Sequence, residues 1–250
     1  MTFIINGALG RMGNILTQTI QSIGEEIAAR VDANAERDEN EGIFCSLSEY
    51  SGDADCIIDF SHHSCTHELL QYATERKIPV VIATTGHTSD ELSEISAASK
   101  LIPVFHSGNM SVGIALLVKL AKTAVAAFPD ADVEIIEKHH NRKLDVPSGT
   151  ALMLANAVCE QRTQSRLVIG RHENGKRDKN DIGIHSLRMG NVVGEHELII
   201  STDSQTITLK HESHSRTLFA EGALEAARFI CKMNAGLYDM HSMLDAEVAK

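Results

Sequence analysis

The residues best suited to chemistry lie in residues 137–151, whose sequence is EKHHNRKLDVPSGTA. The first seven of them include two histidines, two lysines and an arginine, although the whole chain carries a formal net charge of -11. A local basic patch in an acidic chain indicates a site that captures an anion. Pro147 and Ser148 then open a predicted helix, in which Ser148 is a good N-cap and the first amides suit a carboxylate.

The same segment suits a reduction. Reducing a C=N bond or a conjugated C=C bond needs a hydride on one side and a proton on the other. Histidine and lysine side chains donate protons well when neighbouring groups tune them, so Lys143 and the two histidines are candidate proton donors. A solvated basic loop is the alternative interpretation, but the density of cations and the adjoining helix start favour a site. Further along the chain, Arg216 is a candidate contact for a substrate carboxylate.

A hydride source is indicated near the beginning of the chain. The apolar residues 3–6 lead directly into Gly7-Ala8-Leu9-Gly10-Arg11-Met12-Gly13, and a helical pattern follows. Glycines between a strand and a helix let the backbone approach a pyrophosphate, which the helix N-terminus then binds. Arg11 is placed to reach a phosphate. The spacing G-x-x-G-x-x-G is less specific than the common dinucleotide fingerprint, so a plain glycine turn is the alternative.

The residues after the other predicted strands support a dinucleotide site. Asp32 ends the next strand, where an acid accepts hydrogen bonds from ribose hydroxyls; a solvated loop acid is the alternative. Ala33 follows it, so no adjacent arginine pairs with a 2′-phosphate, and we predict that NADH is used at least as well as NADPH. Three further loops stand where doubly wound sheets bind ligands. They are Phe60-Ser61, Ala83-Thr84-Thr85-Gly86 and Ser107-Gly108-Asn109-Met110.

The order of strand-like and helix-like segments predicts two domains. Strand-like residues 3–6, 27–31, 56–60, 79–83 and 102–105 alternate with helical residues 13–23, 66–77 and 89–100, with Ser89 as the N-cap of the last of these. This alternation is typical of a parallel sheet with crossover helices. Helical residues 111–128 and 150–161 flank a strand at 132–138 and precede a predicted exposed loop, 167–180. Strands at 182–187, 196–202 and 206–211 then follow one another before a final helix, 218–233, which indicates an antiparallel or mixed sheet.

We therefore predict an α/β protein with an N-terminal Rossmann dinucleotide-binding domain and an α+β C-terminal domain with a mixed sheet. The first domain comprises residues 1–109 and 220–250, and the second comprises residues 110–219.

Composition and charge narrow the classes of function. The chain has 250 residues, of which 43% are hydrophobic and 23% charged, as in an ordinary globular protein. Its acidity disfavours nucleic acid and anionic membranes as partners. Five widely spaced cysteines without a CxxC motif, and no signal-like N-terminal segment, lead us to expect a cytoplasmic protein. His62, His63, Cys65 and His67 form a cluster, but a polar helix start explains it, and we expect no metal.

The segment 137–151 resembles the signature of the 4-hydroxy-tetrahydrodipicolinate reductase (dihydrodipicolinate reductase) family of bacterial lysine and diaminopimelate biosynthesis. The pattern Glu-x-His-His-x-x-Lys-x-Asp-x-Pro-Ser-Gly-Thr-Ala is highly specific, and the resemblance extends in order over nearly the whole chain. It includes the glycine loop, Asp59-Phe60-Ser61, Thr84-Thr85-Gly86, Asn109-Met110-Ser111-Val112-Gly113, Phe219-Ala220-x-Gly222-Ala223 and Gly236-Leu237-Tyr238-Asp239-Met240.

The resemblance implies that NADH or NADPH reduces 4-hydroxy-tetrahydrodipicolinate, a cyclic dicarboxylate, to tetrahydrodipicolinate with loss of water. It implies that His139 donates or accepts a proton and that Lys143 donates one. The implied substrate-binding residues are His140, Gly149 and Thr150, and the implied cofactor-binding residues are residues 7–12, Asp32, residues 83–85 and residues 107–110. A homotetramer assembled through the second domain, and closure of the two domains over the ligands, are also implied.

Three positions depart from the family pattern and leave the cofactor preference open. Ala33 stands where some members carry arginine, Ala83 where glycine is common, and Ser107-Gly108 where many members have Ala-Pro. Two other functions remain as alternatives: another two-domain Rossmann oxidoreductase, such as an imine-reducing amino-acid dehydrogenase, and a dinucleotide-sensing protein without turnover. A sensor has no need of clustered acids beside an anion-binding helix start, so residues 137–151 favour an enzyme.

Overall fold

The computed structural model describes residues 1–162 and 164–248. The chain divides into two compact units. The first unit contains Met1–Ser111 together with the segment that starts at Arg216, and the second contains Val112–Ser215. Across the described residues, no helix combines the length and the apolar character needed to cross a bilayer.

The secondary structure alternates between strands and helices in the first unit and is richer in consecutive strands in the second. The strands are β1 (Thr2–Asn6), β2 (Glu26–Val31), β3 (Ile43–Phe44), β4 (Cys56–Asp59), β5 (Val80–Ile82), β6 (Pro103–His106), β7 (Asp132–His139), β8 (Arg166–Ile169), β9 (Asp181–Arg188), β10 (Gly194–Ser201), β11 (Thr206–Ser213) and β12 (Gly236–Tyr238). The helices are α1 (Arg11–Ser22), α2 (Thr66–Arg76), α3 (Ser89–Ala98), α4 (Val112–Ala127), α5 (Gly149–Gln161), α6 (Thr217–Ile230) and α7 (Met240–Val248), with short 3₁₀ helices at Leu47–Glu49 and His63–Cys65.

The first unit is built on a parallel sheet with the strand order β12-β6-β5-β4-β1-β2-β3. The interiors of its central strands are apolar, and Ile4, Ile58 and Val81 are fully buried, as expected for strands covered on both faces. The order of the strands reverses between β1 and β4. Loops that leave the carboxyl ends of these neighbouring strands therefore border a crevice, which is where such sheets bind ligands. The predicted Rossmann fold is confirmed.

The second unit is built on a mixed sheet with the strand order β11-β10-β7-β9-β8. β7 and β8 run parallel to β9, whereas β10 runs antiparallel to β7 and β11, which confirms the predicted mixed sheet. The inward positions of β7 are Val133, Ile135, Glu137 and His139, all buried. The first two of these side chains are apolar and belong to the core that β7 forms with α4 and α5. The last two are the carboxylate of Glu137 and the imidazole of His139.

Several predicted boundaries are wrong. The N-cap of α3 is Thr88, not Ser89, because Thr88 and Glu91 form a reciprocal capping box. Part of the predicted loop 167–180 is the edge strand β8, which its pairing with β9 stabilises despite a polar surrounding sequence. The predicted final helix is followed by β12 and α7. Arg11 and Met12 belong to the first turn of α1 and not to the loop before it.

Candidate active site

The glycine loop joins β1 to α1 at the carboxyl edge of the first sheet. Gly7 has a φ angle of 80°, and a Cβ atom there would lie 2.6 Å from the carbonyl oxygen of Phe60, so a larger residue does not fit. Gly10 is the N-cap of α1 and offers no side chain to the first amides of the helix, whose first turn contains no acidic residue. An exposed helix start of this kind suits a phosphate.

Asp32 is held beside the glycine loop. Its Oδ2 accepts a hydrogen bond of 3.0 Å from the amide of Leu9, and its Oδ1 accepts one of 3.0 Å from the amide of Asn34. A cavity of about 260 Å³ opens here, and its lining includes Gly7, Gly10, Asp32, Asn34, Phe60 and Ser61. Within the described part of the chain, no lysine or arginine lines this cavity. The structure thus brings together the predicted loop, the predicted ribose acid and the Phe60-Ser61 loop.

Asp59 connects the ends of three strands in the first unit. Its carboxylate is buried and accepts hydrogen bonds from Asn6 Nδ2 at 2.8 Å, Ser61 Oγ at 2.5 Å and Thr84 Oγ1 at 2.6 Å. Burial raises the pKa of Asp59, and these three hydrogen bonds oppose that rise. Asp59 therefore ties the Thr84 loop after β5 to the ends of β1 and β4.

The remaining loops of the first unit lie at the same edge of the sheet. Ala83 and Thr84 are buried, whereas Thr85 is exposed. Ser107 Oγ and the backbone of Asn109 hydrogen-bond to each other and close a tight turn after β6. Met110 is buried, and its carbonyl oxygen would lie 1.8 Å from a Cβ atom at Gly222, so α6 packs directly on this loop. Gly108 is exposed.

His139 forms a buried pair with Glu137 in the second unit. The Nδ1 atom of His139 lies 2.5 Å from Oε2 of Glu137, and Glu137 is 0% exposed. Burial alone would raise the pKa of Glu137, but hydrogen bonds from His139 and Arg188 hold it well below its ordinary value. Glu137 is therefore ionised and can only accept, so Nδ1 of His139 carries a proton and Nε2 is the atom that remains for chemistry.

Arg188 on β9 completes the charge balance around this carboxylate. Its two terminal nitrogens donate to Oε2 and Oε1 of Glu137 at 2.8 and 2.7 Å, and one of them also donates to the carbonyl of Asp145 at 2.7 Å. Lys143 lies in the same loop, with its Nζ atom 2.8 Å from Asp145 Oδ1. The hydrogen bond from Lys143 lowers the pKa of Asp145, so this partner is a carboxylate at neutral pH.

Ser148 is the N-cap of α5, as the sequence predicts. Its side chain accepts from the amide of Ala151 at 3.2 Å, and its own amide donates to Oε1 of Glu137 at 3.2 Å. Gly149 is exposed and Thr150 partly exposed at the first turn of the helix. His140 directly follows β7, and its carbonyl accepts from the amide of Lys143, which turns the loop back on itself.

His196 on β10 adds a second buried imidazole. Its ring centre lies 5.1 Å from that of His139, and its Nε2 atom lies 3.0 Å from Ser148 Oγ. Burial, followed by the nearby charge of His139, lowers the pKa of His196 to about 4. His196 is therefore neutral at physiological pH and packs against the site without adding charge.

Arg216 and the histidine cluster after β4 have different surroundings. Arg216 is exposed at the N-cap of α6, in the first unit, and its assignment to substrate stays a prediction. In the cluster after β4, His63 and His67 pair with Glu91 and Glu94 of α3 at 2.9 and 3.0 Å. Across residues 1–162 and 164–248, no group of three or more His, Cys, Asp or Glu side chains is arranged to hold a metal ion.

Sequence reasoning gave no role to Glu137, Arg188, His196 or Asp59. Alternation along β7 carried a signal for the first of these, because Glu137 occupies an inward position between Ile135 and His139. No local pattern indicates that Arg188, 51 residues away, supplies the countercharge.

Known proteins are similar to this chain over nearly its whole length. The family model described as "Dihydrodipicolinate reductase, N-terminus" matches residues 1–110, and "Dihydrodipicolinate reductase, C-terminus" matches residues 113–244. The 4-hydroxy-tetrahydrodipicolinate reductase of Caldanaerobacter subterraneus subsp. tengcongensis is 43% identical over 244 residues, which cover 96% of this chain and 97% of that protein. The protein of the same name from Clostridium novyi is 40% identical over 248 residues and 98% of both chains.

A solved structure shows the same fold. The dipicolinate-bound dihydrodipicolinate reductase from Paenisporosarcina sp. TG-14 superposes with a TM-score of 0.80. The superposition covers 96% of this chain and 97% of that chain at 24% sequence identity.

The low pKa of His196 predicts a pH-dependent stability. A histidine in the unfolded chain titrates near ~6.5, so between that value and about 4 the unfolded state binds a proton that the folded state does not. The contribution of His196 to the free energy of unfolding is therefore complete above the pKa of the unfolded chain. It is lost as the pH falls from that value towards the lower pKa of the folded protein. Urea unfolding at a series of pH values should therefore show a shallower acid-side slope for His196→Asn than for the wild type.

A matched control is His172→Asn, which removes an exposed histidine. It should leave the slope unchanged. An unaltered slope in His196→Asn would contradict the assignment of a neutral, buried imidazole.

Proposed function

The chain belongs to the dihydrodipicolinate reductase family, and we infer that it reduces 4-hydroxy-tetrahydrodipicolinate to tetrahydrodipicolinate in lysine and diaminopimelate biosynthesis. The structural observation that carries this inference is the buried Glu137–His139 pair, hydrogen-bonded to the amide of Ser148 at the start of α5. The similarity to reductases over nearly the full chain excludes the two alternatives, an amino-acid dehydrogenase and a non-catalytic sensor.

The start of α5 is the proposed site for a substrate carboxylate. Ser148 satisfies one amide of the first turn, and the amides at Gly149 and Thr150 lie at an exposed helix N-terminus. Charge-assisted hydrogen bonds of this kind contribute roughly 1.5–3 kcal/mol each. His140, which adjoins the site in sequence, and Arg216 are the further proposed contacts of the dicarboxylate. The local excess of cations in residues 137–143 attracts this dianion to an otherwise acidic protein.

The proton steps are assigned to His139 and Lys143. The reaction consumes one hydride and one proton and releases the substrate hydroxyl as water. A bound nicotinamide dinucleotide supplies the hydride. Nε2 of His139 gives or takes a proton, because Nδ1 is committed to Glu137. Lys143 donates a proton from an ammonium group that Asp145 holds at 2.8 Å.

The first unit is the proposed dinucleotide site. The amides at the start of α1, with Arg11 and Met12 in its first turn, suit the pyrophosphate, and Asp32 suits the ribose hydroxyls. Phe60 and Ser61 border the same cavity. The other proposed cofactor contacts come from the loops after β5 and β6, namely Ala83, Thr84, Thr85, Ser107, Gly108, Asn109 and Met110. Direct hydride transfer requires the two ligands to meet during turnover.

We further propose that the protein works as a homotetramer in the cytoplasm. In the second unit, α4 and α5 pack on the inward side of the sheet. The opposite side presents Lys138, Glu195, Glu197 and Lys210 as a ladder of ion pairs. This face, opposite α4 and α5, supports assembly of the second units through it. Light scattering of the purified protein should give the mass of four chains; a monomer mass would contradict the proposal.

The catalytic assignment predicts large losses on removal of either proton donor. With freshly prepared substrate, the wild type should oxidise NADH or NADPH, which is followed as loss of absorbance. His139→Ala and Lys143→Ala should each lower kcat by ~10²–10⁴, the usual contribution of general acid–base catalysis. Near-normal turnover in both variants would remove these residues from the mechanism, and a wild type that reduces only glutamate-type imines would overturn the proposed substrate.

The cofactor assignment predicts no preference for NADPH. Within the described residues, no lysine or arginine lines the Asp32 cavity that could pair with a 2′-phosphate, so kcat/KM with NADH should equal or exceed that with NADPH. Ala33→Arg should raise the NADPH-to-NADH ratio by about tenfold, the value of one charge-assisted hydrogen bond. Asn40→Arg, which adds the same charge at an exposed position, should leave the ratio unchanged. A strong NADPH preference in the wild type would contradict the assignment.

A further inference from the structure

Glu137 is placed where an ionised carboxylate is costly. It is 0% exposed and lies on the inward face of β7, next to Ile135 of the apolar core. Taking a charge out of water costs several kcal/mol unless partners compensate it. The charge of Glu137 therefore depends on every hydrogen bond that its carboxylate accepts. The donors of these bonds are the groups that Glu137 can hold in place.

Its partners come from three different segments. Oε2 accepts from Nδ1 of His139 and from Arg188, and Oε1 accepts from Arg188 and from the amide of Ser148. The two oxygens are thus fixed from β9 and from the start of α5. Because both oxygens are anchored, the direction of the remaining bond, to the imidazole, is fixed as well.

The imidazole has one free edge as a result. Nδ1 faces Glu137, and the other edge is bordered by Gly194 on β10. A Cβ atom at Gly194 would lie 3.1 Å from Nε2, so the absence of a side chain there leaves room next to the reactive nitrogen. His196 packs against the ring at 72° and limits its tilt.

We propose that Glu137, anchored by Arg188 and the amide of Ser148, is the positioning residue that fixes the tautomer and orientation of His139 for proton transfer. The proposal rests on the proposed function, because it assigns a role within that reaction. Arg188 balances the charge, so that the carboxylate stays ionised and accepts the hydrogen bond from Nδ1 of His139.

Replacing Glu137 with glutamine distinguishes a role in orienting His139 from a role in the folding of the protein. The amide has the same shape but one oxygen. Arg188 and the amide of Ser148 can only donate, whereas His139 and the hydroxyl of Ser186, which faces Glu137 from β9, can also accept. Because the amide of Ser148 and one nitrogen of Arg188 both donate to Oε1, the amide oxygen should keep that position, and the –NH₂ group should face His139 and reverse its tautomer. A reversed tautomer places a proton on Nε2 of the neutral ring and removes its capacity to accept one there.

We expect Glu137→Gln to lower kcat but to leave the binding of a dicarboxylate nearly unchanged. Glu137→Gln should lower kcat by about 10- to 100-fold, the scale of a misplaced catalytic group. The dissociation constant for dipicolinate, used as an unreactive dicarboxylate probe, should stay within a factor of about three, less than one hydrogen bond is worth. In a His139→Ala background, the same substitution should leave kcat unchanged, because the residue through which Glu137 acts is absent.

Glu134→Gln is the matched control. Glu134 lies on the same strand and likewise binds one arginine and one histidine, Arg177 at 3.1 Å and His185 at 2.9 Å. This variant should keep wild-type kcat. If Glu137→Gln does not fold, as judged by circular dichroism, Arg188→Lys retains the charge but loses the two-pronged contact and should give the same loss of kcat with unchanged dipicolinate binding.

The outcomes are distinguishable. A loss of kcat in Glu137→Gln that multiplies with that of His139→Ala would show that Glu137 acts on stability or on other groups, and would overturn the positioning role. Wild-type kcat in both Glu137→Gln and Arg188→Lys would overturn it as well. Failure of the wild type to reduce the substrate would instead contradict the proposed function itself.

Discussion

The second unit is organised around one buried ion pair, the carboxylate of Glu137 with the guanidinium of Arg188. Removing one partner of such a pair costs about 3–5 kcal/mol, because the other charge is left buried and uncompensated. The pair joins the end of β7, the end of β9, the loop that carries Lys143 and Asp145, and the start of α5. The proposed catalytic histidine and the proposed carboxylate-binding start of α5 thus share one support. Neither can move without disturbing a bond that the buried charge requires.

The first unit contains a related arrangement. Asp59 is also a buried carboxylate at the end of a strand, and it accepts hydrogen bonds from the ends of two neighbouring strands. Its partners are neutral, so burial raises its pKa, whereas Arg188 and His139 hold that of Glu137 low. This difference suits the two tasks. Neutral hydrogen bonds are sufficient to hold the loops of the proposed cofactor site, but a group that must accept a hydrogen bond from an imidazole N–H has to remain charged.

Much of this organisation could be predicted from the sequence. The strand–glycine–helix pattern indicated the Rossmann unit, and the basic run followed by Ser148 indicated the helix start, because both signals are local. Glu137 and Arg188 could not be assigned in the same way. Their pairing follows from the parallel contact of β7 with β9, and neither the register nor the partner strand is encoded in residues near either one. The edge strand β8 was missed for a similar reason, since its pairing with β9 determines it more than its own residues do.

The central claim is that Glu137 holds His139 with its proton on Nδ1. Long-range ¹H–¹⁵N NMR spectra of the histidine side chains report which ring nitrogen is protonated. With the signal of His139 assigned by its loss in His139→Ala, we expect a protonated Nδ1, with a strongly downfield proton, across the whole pH range in which the protein is folded. A neutral His139 with its proton on Nε2 and a bare Nδ1 would contradict the account.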